Sequence, residues 1–297
     1  MTPTPSSIYI WHLVFVVAVI LLLLYLDRMS TSPILAIANR WVRWFSCSFG
    51  ISYLAFIFEW SARPFWVLVL SAFLSWFLLE TIYNWIAISA LSRSPVPLFP
   101  KFEINRSGDE WPAQRRFIGL REWLRREGFE RLAAIRAEII DTVVLRLSVY
   151  QNSDGTIRMQ VMFLPHRSGR MSVCFIIFSQ ARDGSRLVTD NYFLPYGGFY
   201  PENWSVERKP LIISPERLLD RHRARMARFG LPFDALDDDP LTELNDQQRI
   251  LERINVDLGF LFPRHLHEEH GKITQQGRYR FWKELWLLNY FGCPIVK

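Results

Sequence analysis

The stretch TVVLRLSVYQNSDGTIRMQVMFL, residues 142–164, decides how the larger part of the chain is read. Apolar side chains alternate at Val143, Leu145, Leu147 and Val149, and again, after Asp154-Gly155, at Ile157, Met159, Val161 and Phe163. A strand sends successive side chains to opposite faces, so a period of two marks a half-buried strand. An Asp-Gly pair between two such runs marks a hairpin. The pattern continues downstream. PHRSGR (165–170) reads as a loop, and MSVCFIIFSQ (171–180) is apolar on both faces, as a covered strand requires. Asp183-Gly184 turns the chain once more, and RLVTDNYFL (186–194) is a fourth candidate strand. An antiparallel meander of three to four strands is therefore expected over 142–194.

Helices are expected around it. Residues 122–127 and 131–140 read as helical with a break at Gly128, because Leu124, Leu132, Ile135 and Ile139 fall at helical spacing. Ser214-Pro215-Glu216 is a helix start, with a capping serine, proline at the first position and then an acid; Gly230 is the stop. Two further helices are expected at 242–261 and 274–290. The last is strongly apolar, which suits core packing or, as the sharper alternative, the membrane interface. Residues 115–297 thus read as an α+β domain with flanking helices, preceded by a proline-rich linker over 92–114.

The first 100 residues are of another kind. Of the 297 residues, these carry only eight charged side chains, whereas the remaining 197 carry 30 Lys/Arg and 26 Asp/Glu. Residues 8–26, IYIWHLVFVVAVILLLLYL, have no formal charge and suffice to cross a bilayer as a helix. The preceding MTPTPSS has no Lys or Arg, and no small-x-small site follows, so the segment reads as a retained anchor. Residues 41–60, with Trp41, Trp44 and Trp60 at their ends, and residues 65–91 are the second and third candidate spans. Three spans place Arg28, Arg40, Arg43, Arg93 and Lys101 on one side and only Arg63 on the other. The positive-inside rule then sets the N-terminus outside and the C-terminal domain in the cytoplasm; two spans would send three of those cations outward. The class expected is a multi-pass cell-membrane protein carrying a cytoplasmic α+β domain.

Candidate sites are few. Glu80 lies near the middle of the third span, where a carboxylate is costly; bonding to Ser75, Tyr83 or Asn84 is the plain explanation for it. On the helix that starts at Pro215, Arg217, Arg221, Arg225 and Arg228 form one stripe, which reads as a solvated face or, as the sharper alternative, a surface for anionic lipid headgroups or an acidic protein partner. His222 falls on the apolar stripe of that helix and reads as a hydrogen-bonded core residue. PRHLHEEHG (263–271) holds His265, His267 and His270. Neither a helix nor a strand gathers all three imidazoles, so the stretch reads as a polar connector and only a weak metal candidate. DALDDDP (234–240) lacks the alternating ligands and glycine of a calcium loop and reads as a solvated loop before a helix.

No GxSxG, HExxH, GxGxxG or GxxxxGK is present, and no zinc finger, RNP motif or basic tail that would support nucleic-acid binding. Cys47, Cys174 and Cys293 stand apart and build no disulfide framework. No cofactor is implied. Asp141, Asp183, Asp190 and Glu202 offer carboxylates without a reason to pair any two. The function expected is a membrane-anchored interaction or assembly module, with a protein partner, a second copy or the lipid surface bound. The alternative is a membrane-bound enzyme with its site between the sheet and the loop PYGGFYPENW (195–204), which reads otherwise as a crossover packed on the sheet. A transporter would need more intramembrane polar groups than Glu80 and its neighbours supply.

Overall fold

The computed structural model describes residues 11–12, 14–15, 17–19, 21–22, 24–26, 32–108, 111–112, 114–140, 143–165 and 171–295. The chain divides into two compact units, Met1–Ile88 with Asn289–Phe291, and Ser89–Leu288 with Gly292–Lys297.

In the first unit α1 (Pro33–Ile57) and α2 (Phe65–Arg93) follow one another through a short turn. Pairs of decreasing and increasing number meet along them: Phe56 with Phe65, Trp44 with Phe73, and Arg40 with Glu80. The two helices therefore run antiparallel. Trp44 stacks on Phe73 with ring centroids 4.3 Å apart and donates its indole N–H to the Phe73 carbonyl at 3.1 Å. Ser48 and Ser52, both buried, return their hydroxyls to the carbonyls of Trp44 and Ser48, which satisfies polar groups that water does not reach. α1 begins eight residues earlier than the second candidate span and takes in Arg40, which lay in the connecting loop by the bounds of that span. Pro33 suits the first helical position, and nothing between it and Trp41 breaks the helix. Among the described residues α2 is the one helix long and apolar enough to cross a membrane. Its 29 residues reach about 43 Å at the helical rise, against roughly 30 Å of hydrocarbon. The first candidate, 8–26, lies partly outside the described residues.

The second unit is built on one sheet. Its spatial order is β1 (Glu103–Ile104), β2 (Phe129–Ile140), β3 (Val143–Asn152), β4 (Arg158–Pro165), β5 (Met171–Ala181), β6 (Arg186–Asp190) and β7 (Trp204–Arg208), with β8 (Phe233–Asp234) paired to β5. The β6–β7 pair is parallel and the others are antiparallel. The meander expected over 142–194 is β3 to β6, and the sheet extends on both sides of it.

The helix expected over 131–140 is instead most of β2. Leu132, one of the four residues at helical spacing, is 46% exposed, while Ala133, Ile135, Ala137 and Ile139 face one core at strand spacing. The two alanines hid that alternation. β2 also carries a bulge: Arg131 pairs with Tyr150 and Ala133 with Val149, so Leu132 is an extra residue. The bulge moves the strand's inward set from one face of the sheet to the other, and Phe129 consequently packs in the opposite core.

Helices cover both faces. α3 (Arg115–Arg126) and α4 (Pro215–Phe229) bring Phe117, Trp123, Leu124, Leu218 and Leu219 onto Met159, Val161, Phe163, Phe175 and Ile177. α5 (Pro240–Asp257) brings Leu241 and Leu244 onto Ile135, Leu147, Val149 and Met162 on the other face. Each large side chain so buried contributes roughly 1.5–3 kcal/mol. Ser214, Asp239 and Thr274 cap α4, α5 and α7 (Gln275–Phe291) by accepting the backbone N–H of Arg217, Thr242 and Gly277. A short helical turn, α6 (His267–His270), precedes α7.

The stretch read as a linker is bonded to the unit. Ser92 accepts the N–H of Ile273 on its hydroxyl and that of Lys272 on its carbonyl, and Lys272 Nζ donates to the carbonyls of Ser94 and Val96. Asn245 of α5 brackets Phe102 with a bond to each backbone group, and β1 joins the sheet edge.

Candidate functional site

The loop 195–204 links the parallel strands β6 and β7 and is bonded shut. Glu284 of α7, fully buried, accepts the backbone N–H of Tyr196 at 3.1 Å and that of Gly197. Asn255 of α5 accepts from the Phe199 N–H at 2.7 Å and donates to the Phe199 carbonyl and the Tyr196 hydroxyl. A Cβ on Gly197 would lie 2.9 Å from the Phe281 Cα, and Gly197 has φ +69, so only glycine fits this approach.

Beneath the loop Arg208 of β7 joins two carboxylates. Its Nε lies 3.2 Å from Asp190, its Nη1 lies 3.1 Å from Glu284, and its Nη2 donates to the Tyr200 hydroxyl at 2.7 Å. Burial pushes the Asp190 and Glu284 carboxyls up, against the pull of Arg208. Burial also raises the hydroxyls of Tyr196 and Tyr200, and that of Tyr192 to about 12. The side chains between sheet and loop are thus bonded to one another. Of the other carboxylates considered from sequence, Asp183 closes the β5–β6 turn by accepting from Ser185, Glu202 is exposed in the loop, and Asp141 lies outside the described residues. The three described ones stand on different elements.

A second buried ion cluster holds α5 to the sheet. Glu243 pairs with Arg158 of β4 and, at 2.8 Å, with Arg186 of β6. Arg158 is completed by Gln151 and the Leu236 carbonyl, and Arg186 lies over the Phe178 ring at 4.0 Å.

The arginine stripe on α4 is divided. Arg221 makes a two-pronged pair with Glu207 of β7 at 2.7 and 3.0 Å, and these bonds hold the Glu207 carboxyl down to about 2. Arg225 also reaches Glu207, at 3.3 Å, and donates to Thr189 and Ser205. Arg217 and Arg228 are exposed. Two of the four are therefore paired to the sheet, Arg221 with its side chain still 41% exposed. His222 is buried between Thr189 Oγ1, 2.9 Å from its Nδ1, and Ser179 Oγ, 3.0 Å from its Nε2. Thr189 also accepts from Arg225, so each ring nitrogen of His222 exchanges one hydrogen bond with a strand hydroxyl. Burial, with Arg225 nearby, lowers this imidazole to about 3.

The three connector histidines do not converge. His267 Nε2 bonds the Phe262 carbonyl at 2.7 Å, His270 lies on the Phe262 ring, and His265 is exposed. Among the described residues no three metal-binding side chains form a group. Glu80 has partners other than Ser75, Tyr83 or Asn84. It accepts from Trp76 at 3.2 Å and from the Tyr290 hydroxyl, and Arg40 stands 3.6 Å away. The carboxylate is thus matched by a cation on the neighbouring helix, which a reading of each segment alone did not reveal.

One concave site went unnoticed in the sequence. It is a cavity of about 460 Å³ lined by Arg121, Arg125, Phe129, Glu130, Arg131 and Tyr150. Arg121 and Arg125 share a face of α3 at a four-residue step. Gly128, with φ +76, then turns the chain from α3 into β2. Arg131 and Tyr150 are directly paired across β2 and β3, beside the bulge. Misreading 131–140 as helix separated Arg131 from Tyr150 and concealed the site.

No family model, no curated protein and no solved structure matches this chain.

Proposed function

We propose that the chain is a membrane-anchored interaction module. The carrying observation is the outward surface of α2. Trp66, Leu70, Leu74, Phe77, Leu78, Leu79, Ile82 and Ile86 are all exposed within the chain, a continuous apolar surface that water would not tolerate. Lipid covers such a surface at no hydrogen-bonding cost, because the helix satisfies its own backbone. The finer reading has three spans, at 8–26, 41–60 and 65–91, the N-terminus outside and the α+β unit in the cytoplasm. The distribution of Arg28, Arg40, Arg43, Arg93 and Lys101 against Arg63 supports it.

An interaction role for the α+β unit is supported by the state of its polar groups. Asp190, Arg208, Glu284, Arg158, Glu243 and His222 are each bonded within the unit, where they tie helices and loop to the sheet. They serve the scaffold, and the partner-facing chemistry is left to exposed cations such as Arg217, Arg228, Arg121 and Arg125.

The test is extraction followed by purification of the full chain. It is expected to stay in the membrane pellet in alkaline carbonate, and to bring down a stoichiometric partner or a second copy in mild detergent. Release by carbonate overturns the anchoring, and a clean monomer overturns the assembly role. Labelling of a cysteine added after Lys297 from outside intact cells would overturn the orientation.

A further inference from the structure

We infer that the outward face of α3 is a docking surface for the anionic lipid headgroups of the membrane that holds α2. The inference rests on the anchoring reading and names the ligand of the α+β unit. The helix reads RRFIGLREWLRR, five arginines to one carboxylate, Glu122. Phe117, Trp123 and Leu124 are buried on its inner side, while Arg115, Ile118, Arg121, Arg125 and Arg126 are all exposed. Ile118, 58% exposed, stands three residues from Arg115 and from Arg121 and seven from Arg125, so cations surround it on one helical face. An apolar side chain ringed by cations suits a helix lying along a charged lipid surface. The isoleucine enters the acyl boundary, and the guanidiniums stay with the phosphates.

Two observations separate this face from an ordinary solvated one. The first is where the cations stand. Arg115 and Arg116 open α3, its first turn has no acid, and Gln114 makes no capping bond, its Oε1 accepting instead from Arg116. Cations at a helix N-terminus oppose the macrodipole. α4 and α5 show the favourable arrangement, a capping side chain with a glutamate in the first turn. Anionic headgroups along this end of α3 offset the charge that the helix itself leaves unmatched. The second observation is the lack of protein partners. On α4, Arg221 and Arg225 pair with Glu207, and Arg223 pairs with Glu127. Among the described residues Arg115, Arg121, Arg125 and Arg126 take part in no ion pair, and Arg121 lies over the Trp111 ring at 4.8 Å. The face is also tethered. α3 begins 22 positions after α2 ends at Arg93, so a weak lipid contact is enough to hold it once the anchor is in place.

The test compares the full chain in nanodiscs of phosphatidylcholine alone and of phosphatidylcholine with phosphatidylserine. Phenylglyoxal labels accessible guanidiniums, and peptide mass spectrometry reads the rate at each arginine. Labelling of Arg115, Arg125 and Arg126 should slow about fivefold in the discs with phosphatidylserine, the weight of one cation near an anionic leaflet. High salt should remove the protection. Arg217 and Arg228, exposed on α4, should label alike in both discs. Ile118→Asp, a change at an exposed position, should abolish the protection and leave the rates in phosphatidylcholine as they were. Equal labelling of α3 in both discs overturns the inference, as does protection undiminished by Ile118→Asp. Equal slowing at Arg217 and Arg228 also overturns it, since that is a general effect of lipid charge. Protection already complete in phosphatidylcholine assigns the face to a protein contact, such as a second copy, and overturns it too. A chain that remains in the carbonate pellet but shows no protection refutes this inference alone, and release from that pellet refutes the anchoring beneath it.

Discussion

His222 shows how much a single buried residue contributes and how it does so. Folded, its imidazole stays neutral down to about 3, whereas the unfolded chain takes up a proton near 6.5. The unfolded state therefore binds more protons between those values, and stability due to His222 is complete above 6.5 and lost as pH falls toward about 3. This stability amounts to a few kcal/mol, about 1.4 for each unit of displacement. Replacing His222 with Gln should flatten the fall in unfolding free energy across that window, measured by denaturant titration at successive pH values. Glu284 acts with the opposite sign. Its carboxyl is raised, so its contribution is present below 4.5 and lost as pH rises through the elevated value. Glu284→Ala takes from Arg208 one of its two carboxylates and leaves two backbone N–H groups without their acceptor, and is expected to cost about 3–5 kcal/mol in the same titration. The position of His222 on an apolar stripe was legible in the sequence. Its two hydroxyl partners were not, because Ser179 and Thr189 lie on strands that only the sheet brings beside α4.

At the scale of elements, the bulge in β2 is the decisive feature. Leu132 is an exposed extra residue, so Leu132→Ser should change stability by less than about 0.5 kcal/mol. Deleting it is expected to prevent folding, since Phe129 and Ile135 could not then both reach their opposite cores. Circular dichroism and a thermal melt of both variants would separate the two effects. The loop 195–204 gives a second case. Gly197→Ala is strained both by its positive φ and by the Phe281 backbone 2.9 Å from the added carbon. The loop should open and become sensitive to limited proteolysis, at a cost of about 1–3 kcal/mol.

For the whole molecule, the first unit joins parts of the chain that are far apart in sequence. Glu80 meets Arg40 on α1 and Tyr290 near the C-terminus. Removing either ion leaves the other unmatched. Arg40→Leu is therefore expected to lower the thermal stability of the full chain in detergent, and the double variant Arg40→Leu, Glu80→Leu to recover much of that loss. Failure of the second change to rescue the first would show that the pair is not coupled. Tyr290→Phe should have a smaller effect of the same sign, since it removes one hydrogen bond and no charge.

The sequence by itself determined the contrast between an apolar first third and a charged remainder, the strands at 142–194, and the capped start and glycine stop of α4. Each depends on neighbours within a turn or two, so local periodicity and capping chemistry carry the information. Tertiary structure decided the rest. Only strand pairing could turn 131–140 into β2, because two alanines masked the alternation and a bulge reversed its phase. Only the meeting of α3, β2 and β3 could gather Arg121, Arg125 and Arg131 around one cavity. Only the packing of α7 could give Arg208 its second carboxylate and hold the 195–204 loop closed. Such groupings depend on residues tens to hundreds of positions apart, and their partners become definite once hydrophobic burial has fixed which face of each element points inward.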